Sequence, residues 1–419
     1  MADIDILEVD VLLIIFNFLS LYDKLMTMRV CKKWHTIIKD THAWKVIDLN
    51  EQGPVIGHRK STCKRYIVKL GQDGFTYLGN EIEIRWKFPR NPRDILAFLK
   101  LFAGAAMQKL FLTVMTSDIM EFLRTTCPNI IALEFVEWAC PTWPLRGSLL
   151  GTNIMLHVSP ELTRLCLNLD PCYNLTGSHE QRESQERILS VVAGNCSSLR
   201  QISLYGLQLT STGMKNIAKI DSLREIELMH CYEDAVGYET PDEILIDSIG
   251  CLTKLICFKI HALKPFDMVD FLTCIGKWEH LKVLSLQGVW FSEEAFEMMI
   301  PGLLNVEKLH LSGPVPRAPF DESPITSHVV TLIVNYLKKM KTLVLSLSDD
   351  VIMFKSLRYH QTLETLTIEY SHTMSFYPFY NMLLTLPKIK YAKICSKHLF
   401  NKSNITLPIT DSTEIWFGC

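Results

Sequence analysis

Leu281-Lys282-Val283-Leu284-Ser285-Leu286 sets three leucines at the spacing L-x-x-L-x-L, and its reading decides the fold. Leu284 and Leu286 are two apart, so in a strand both point to one face. Leu281 enters from the preceding turn. With any aliphatic or aromatic residue allowed, the spacing recurs along the chain. Clear copies are Leu199/Ile202/Leu204, Leu223/Ile226/Leu228 and Leu363/Leu366/Ile368. Others begin at Met107, Ile130, Leu162, Leu255, Val306 and Met340, with a weaker one at Ile389/Ala392/Ile394. Most intervals are about 23 to 26 residues, and four stretch to about 32 to 37. Earlier candidates are Ile47/Leu49, Ile67 and Ile84.

Amphipathic helical patterns lie between the copies, at 94–103, 118–125, 188–193, 213–220, 242–249, 268–275, 293–299, 328–340 and 351–358. One strand with one helix cannot bury its apolar face, but a stack of such units can. A core of this spacing with a period in the twenties resembles leucine-rich repeats. The resemblance implies an α/β solenoid over 66–419, with parallel strands on a concave face and helices on a convex one. His230-Cys231 after Leu228 is similar to the cysteine-containing repeat subtype. Polar and Pro-rich stretches near 168–187, 230–242 and 313–327 read as loop insertions. Glu414-Ile415-Trp416-Phe417 alternates like an edge strand and predicts a C-terminal cap.

The front of the chain has a different texture. Residues 9–19 are apolar almost all round, with Asp3, Asp5, Glu8 and Asp10 at the start, where a helix dipole favours acids. A turn at Ser20 to Asp23 leads to a second helix, with Leu25, Met28, Val30 and Cys31 inward and Lys24, Arg29, Lys32 and Lys33 outward. A third, short helix ends on Trp44. Three helices in about 45 residues bury too little to stand comfortably alone, so they either pack onto the chain that follows or present a surface to another protein. The order Leu7, Asp10, Leu12, Ile15-Phe16, Leu19, Leu25, Val30-Cys31-Lys32-Lys33-Trp34, Trp44 and Asp48-Leu49 resembles the F-box. That family has Pro after its first Leu, where this chain has Glu8. Residues 1–50 then form the F-box and 51–65 a basic linker.

Composition narrows the class. The 419 residues are 48% hydrophobic and 21% charged, which describes a packed chain. A formal net charge of -2 gives no electrostatic footprint for nucleic acid. No apolar run reaches the roughly 18 residues of a membrane span, so no membrane partner is expected. The 13 cysteines are scattered without a Cys-x-x-Cys pair, which predicts a reducing compartment, cytoplasm or nucleus. Phosphate loops, nucleophile elbows and zinc motifs are missing, so neither enzyme activity nor a cofactor is expected.

What remains is surface. Residues alternating with the core leucines face outward: Tyr205, Glu225, Glu227, Lys259, His261, Lys308, His310 and Glu369 are the candidate target-binding set. Together the two resemblances imply an F-box/leucine-rich-repeat protein, a family of substrate receptors in SCF-type ubiquitin ligases. Such a chain binds a Skp-type adaptor, and through it a cullin scaffold and a RING subunit. Carried over by position, the adaptor-facing residues are Leu7, Asp10, Leu12, Ile15, Phe16, Leu19, Leu25, Val30, Cys31 and Trp34. Trp44 is expected to pack inside. The alternative is a repeat scaffold or inhibitor acting outside a ligase.

Overall fold

The computed structural model describes residues 7–19, 21–39, 44, 46–48, 82–86, 96, 99–100, 107–112, 117–135, 161–168, 179–206, 210–231, 250–262, 269–289, 291–313, 325–347, 354–370, 381–396 and 414–417. The chain divides into two compact units, Met1–Thr176 with Ser190–Arg200, and Gly177–Leu189 with Gln201–Cys419.

The first unit opens with helices α1 (Val9–Asn17), α2 (Leu21–Thr27) and α3 (Lys32–Lys39). Strands β1 (Val46–Asp48), β2 (Ile82–Trp86), β3 (Met107–Leu112), β4 (Ala132–Phe135) and β5 (Arg164–Asn168) follow, with α4 (Ser117–Thr126) between β3 and β4. Each strand pairs in parallel with the next in sequence. β1 pairs directly with β2; Ile67 lies outside the described residues.

In the second unit, β6 (Gln201–Tyr205), β7 (Glu225–Cys231), β8 (Cys257–Ala262), β9 (Val283–Gln287), β10 (Lys308–Ser312), β11 (Thr342–Leu347), β12 (Thr365–Tyr370), β13 (Tyr391–Ser396) and β14 (Glu414–Phe417) again pair in parallel and in order. The returning segments hold α5 (His179–Asn195, of which the residues up to Leu189 fall in this unit), α6 (Ser211–Ala218), α7 (Val269–Ile275), α8 (Glu293–Met299) with a 3-10 turn Ile300–Gly302, α9 (Ser327–Tyr336) and α10 (Phe354–Leu357). α7 packs beside α8, α8 beside α9, and α9 beside α10. This is the strand-and-helix stack that the leucine spacing predicts.

The spacing also explains the core. Leu281, Leu284 and Leu286 are buried, as are Val306, Leu309 and Leu311 and Met340, Leu343 and Leu345. Register keeps equivalent positions level: Leu284 lies beside Leu309, and Leu309 beside Leu343. Just before each strand, one backbone N–H donates to the preceding rung. Glu307 N donates to Lys282 O, Lys341 N to Glu307 O, Glu364 N to Lys341 O and Lys390 N to Glu364 O, each at 2.8 Å. The same residues form exposed ion pairs, Lys282–Glu307 at 3.7 Å, Lys341–Glu307 at 2.9 Å and Lys390–Glu364 at 2.7 Å. Each such pair contributes little by itself, whereas the backbone ladder is obligatory.

Where β6 and β9 end, Gly206 and Gly288 take φ of 65° and 68°. Both still donate to the next rung, Gly206 N to Met229 O and Gly288 N to Ser312 O. The left-handed turn leaves the ladder intact, and glycine adopts it at least cost.

Several expectations change. Lys32 and Lys33, expected on the second helix, open α3 instead. The polar run through Glu183 is not a loop: it is helical from His179, so the 188–193 pattern is only the apolar end of α5. α9 stops at Tyr336, short of the expected Met340, because Leu337 leaves helical geometry with ψ of 59°. Val30 is exposed, since α2 ends at Thr27 and residues 28–30 form a turn. Lys24, placed outward by the helical pattern, is buried. The expected helix at 242–249, most of the 230–242 stretch and residues 314–324 lie outside the described residues.

Candidate functional site

Two surfaces carry the functional question. The first belongs to the three N-terminal helices. α1 buries Leu12 and Phe16, α2 buries Leu25, and α3 buries Ile37 and Ile38. Phe16 meets Trp34 edge-to-face, with centroids 5.4 Å apart and planes at 65°. Cys31 precedes α3, and its Sγ accepts from Trp34 N at 3.4 Å, the place of an N-cap oxygen. Lys33 Nζ donates to Leu7 O at 3.2 Å, tying the lead-in of α1 to α3. Trp44 is fully buried, and its indole N–H donates to Ile38 O.

These contacts use one side of α1 and leave the other bare. Phe18 is 85% exposed, Ile14 60% and Ile15 42%, with Val9 and Val11 beside them; Val30 on the turn is 63% exposed. Of the residues expected to face an adaptor, Asp10, Ile15 and Val30 are exposed, while Leu7, Leu19, Cys31 and Trp34 are half-buried. Leu12, Phe16 and Leu25 are buried among the helices and sit in the bundle core. Val9, Val11, Ile14 and Phe18 are the apolar surface that sequence reasoning missed. A helix apolar on every side does not reveal which side its own chain covers.

The second surface is the outward face of the sheet in the second unit. Tyr205, Glu227, Lys259, His261, His310 and Glu369 are half-buried there, and Glu225 and Lys308 are exposed. Register joins several of them. Ser203 Oγ donates to Glu227 at 3.2 Å, and Lys259 Nζ donates to the other oxygen of that carboxylate at 3.4 Å. Gln287 Nε2 donates to His310 Nδ1 at 3.2 Å, which puts the ring proton on Nε2. That Nε2 is buried with no hydrogen-bond partner among the described residues. Burial pushes the His310 pKa down; the negative charge of Glu369 opposes this and His261 adds to it. Ser346 Oγ donates to Glu369 at 2.5 Å. Gln287 and Ser346 thus complete pairs whose other members the sequence had marked, and Ser203 joins Glu227 as the strand alternation places it.

Among the described residues, no three His, Cys, Asp or Glu side chains group to hold a metal. No described helix is long and apolar enough to cross a membrane. The arrangement offers binding surfaces: one apolar and helical, the other polar and flat.

The F-box-like family model matches residues 9–50, which makes the N-terminal helices an F-box-like domain. The parallel array behind it is of leucine-rich-repeat type. Among solved structures, an internalin of Listeria monocytogenes is similar at 12% identity and a TM-score of 0.35, over 71% of this chain and 82% of the internalin. A plant peptide hormone receptor is similar at 10% identity and a TM-score of 0.32, over 76% of this chain and 54% of the receptor. No curated protein matches in sequence.

Proposed function

We propose that this chain is the substrate-recognition subunit of an SCF-type ubiquitin ligase. Its F-box-like helices bind a Skp-type adaptor, which links to a cullin scaffold and a RING subunit, and its repeats hold a target protein. The observation that carries this reading is the bare apolar side of α1, with Phe18 and Ile14 uncovered in the domain matched as F-box-like. A small domain that leaves such side chains in water gains most by burying them against a partner. The chain itself supplies no catalytic group. It raises the effective concentration of a target lysine at an activated thioester. Cys31, Cys127, Cys166, Cys196, Cys251, Cys257 and Cys274 are free thiols, as suits the cytoplasm or nucleus.

Calorimetric titration of the full chain with a purified Skp-type adaptor tests the reading. A Kd of about 1 µM or tighter is expected. Absence of binding by the wild-type chain removes the proposal. Glu8 favours a second reading, a scaffold or inhibitor outside a ligase, because it puts an exposed carboxylate where the family has Pro. The two part on one measurement: deleting residues 1–50 lengthens the half-life of a bound target only for a ligase receptor.

A further inference from the structure

In the second unit, five successive turns carry the chain into β9, β10, β11, β12 and β13, and they share one edge of the sheet. Lys277, Lys338, Lys339, Arg358 and Lys388 stand in these turns, all exposed. None has a carboxylate within ion-pair distance among the described residues. Lys338 Nζ donates to Val334 O at 2.7 Å, Lys339 Nζ to Asn305 Oδ1 at 2.6 Å, and Arg358 lies over the Tyr359 ring at 4.5 Å. The other lysines of this edge are already matched by Glu307 and Glu364 in the ladder of ion pairs. A chain of net charge -2 therefore keeps a surplus of positive charge along one edge.

A second observation falls on or directly beside the same turns. Leu304, Tyr336, Tyr359 and Leu384 are exposed, at 52%, 38%, 59% and 51%. Scattered exposed apolar residues need no explanation. These four recur from rung to rung beside the surplus cations. Adjacent strands are about 4.8 Å apart, so the five turns span about 20 Å, the reach of roughly six extended residues.

We infer that this edge docks an acidic peptide segment of a partner protein, with apolar side chains set among its carboxylates. Charge selects the class. Surplus lysines attract carboxylates, and Tyr and Leu beside them give the apolar anchors that charge alone lacks. Nucleic acid fits less well. Its evenly charged backbone would also meet Glu279, Glu307 and Glu364 on this edge, and the edge has a single arginine fork for phosphate. A peptide can place carboxylates at the lysines and leave neutral residues at the glutamates.

The inference goes beyond the ligase reading and is independent of the F-box-like helices. Its test uses the full chain and a short fluorescein-labelled peptide of Asp and Glu with interspersed Leu, read by fluorescence anisotropy. Saturable binding is expected that weakens as salt rises. Lys338→Glu/Lys339→Glu/Lys388→Glu should weaken it about tenfold or more, while Lys215→Glu, on α6 away from this edge, leaves it unchanged. Circular dichroism and the melting temperature should not move, because these side chains are exposed. Lys338→Gln/Lys339→Gln/Lys388→Gln, which removes charge without reversing it, should fall between. Absent binding at low salt, equal loss with Lys215→Glu, or tighter binding of a single-stranded RNA or of phosphatidylserine vesicles would each overturn the inference. Adaptor binding by the charge-reversed chain reports on the ligase reading separately.

Discussion

Phe16 and Phe18 are two residues apart on one helix and have opposite roles. Phe16 is 2% exposed and meets Trp34 edge-to-face; Phe18 is the most exposed large apolar residue among those described. Phe16→Ala should cost about 3 to 5 kcal/mol of stability in the helical bundle, as a buried aromatic truncation does. Phe18→Ala should leave stability within about 0.5 kcal/mol, yet weaken adaptor binding about tenfold or more. Chemical denaturation and calorimetry on the same two variants separate core from contact; a reversed pattern would mean that the face has been misplaced. His360 makes a second residue-scale prediction. It fills a core position, 2% exposed, and Nε2 donates to Leu337 O at 3.1 Å while buried Nδ1 has no partner among the described residues. Burial holds its pKa below the usual 6.5; the Leu337 hydrogen bond opposes this, and the charge of Lys338 adds to it. The unfolded chain therefore binds this proton more readily than the folded one. The stability is fully present above about pH 6.5 and is lost as the pH falls through that value towards the lower folded pKa. Between about pH 7.5 and about pH 5.5 the urea midpoint of the second unit should drop, and His360→Leu should shrink the drop. An unchanged drop would assign it to other groups, of which His310 shifts in the same direction.

Elements were legible in proportion to their periodicity. Strands repeat a two-residue alternation inside a fixed L-x-x-L-x-L frame, so register aligns every copy without ambiguity. Helix starts were less sharp: α8 begins at Glu293 as the pattern predicts, while α6 and α9 begin at Ser211 and Ser327, ahead of the expected 213 and 328; Thr210, Ser292 and Thr326 each accept from the backbone N–H three residues on and set these starts. The first half of α5 was not, because its polar sequence reads as loop until the apolar residues Ile188, Leu189 and Val192 supply a buried stripe. One close approach between elements was also invisible. The turn after α7 and the 3-10 turn after α8 cross so tightly that a Cβ on Gly302 would lie 1.6 Å from Gly276 O. The obstacle is backbone, which cannot swing aside. Gly302→Ala should cost about 3 kcal/mol or more. Gly194→Ala, where nothing lies within 4 Å, should be neutral or slightly stabilising. Thermal melts of both variants decide this, and equal melting temperatures would refute the crossing.

At the scale of the whole molecule, each rung within a unit touches its neighbours, so the stability of each unit is nearly a sum of local terms. The same stacking hid the surfaces from the sequence. Ser203, Glu227 and Lys259 are far apart in the chain, and only adjacent register makes them one polar cluster. The cations of the turn edge likewise become a row only once the strands are stacked. Nearest-neighbour stability gives a prediction at this scale. Leu286 on β9 is fully buried between β8 and β10. Leu286→Ala should cost about 2 to 5 kcal/mol, and the loss should stay near the lesion. Hydrogen exchange should quicken most in β8, β9 and β10 and least in β13, while adaptor affinity stays within about 0.5 kcal/mol of wild type. Uniform loss of protection from β6 to β14 would mean that the second unit unfolds as one cooperative block, and a linear stack of semi-independent rungs would then be the wrong physical description.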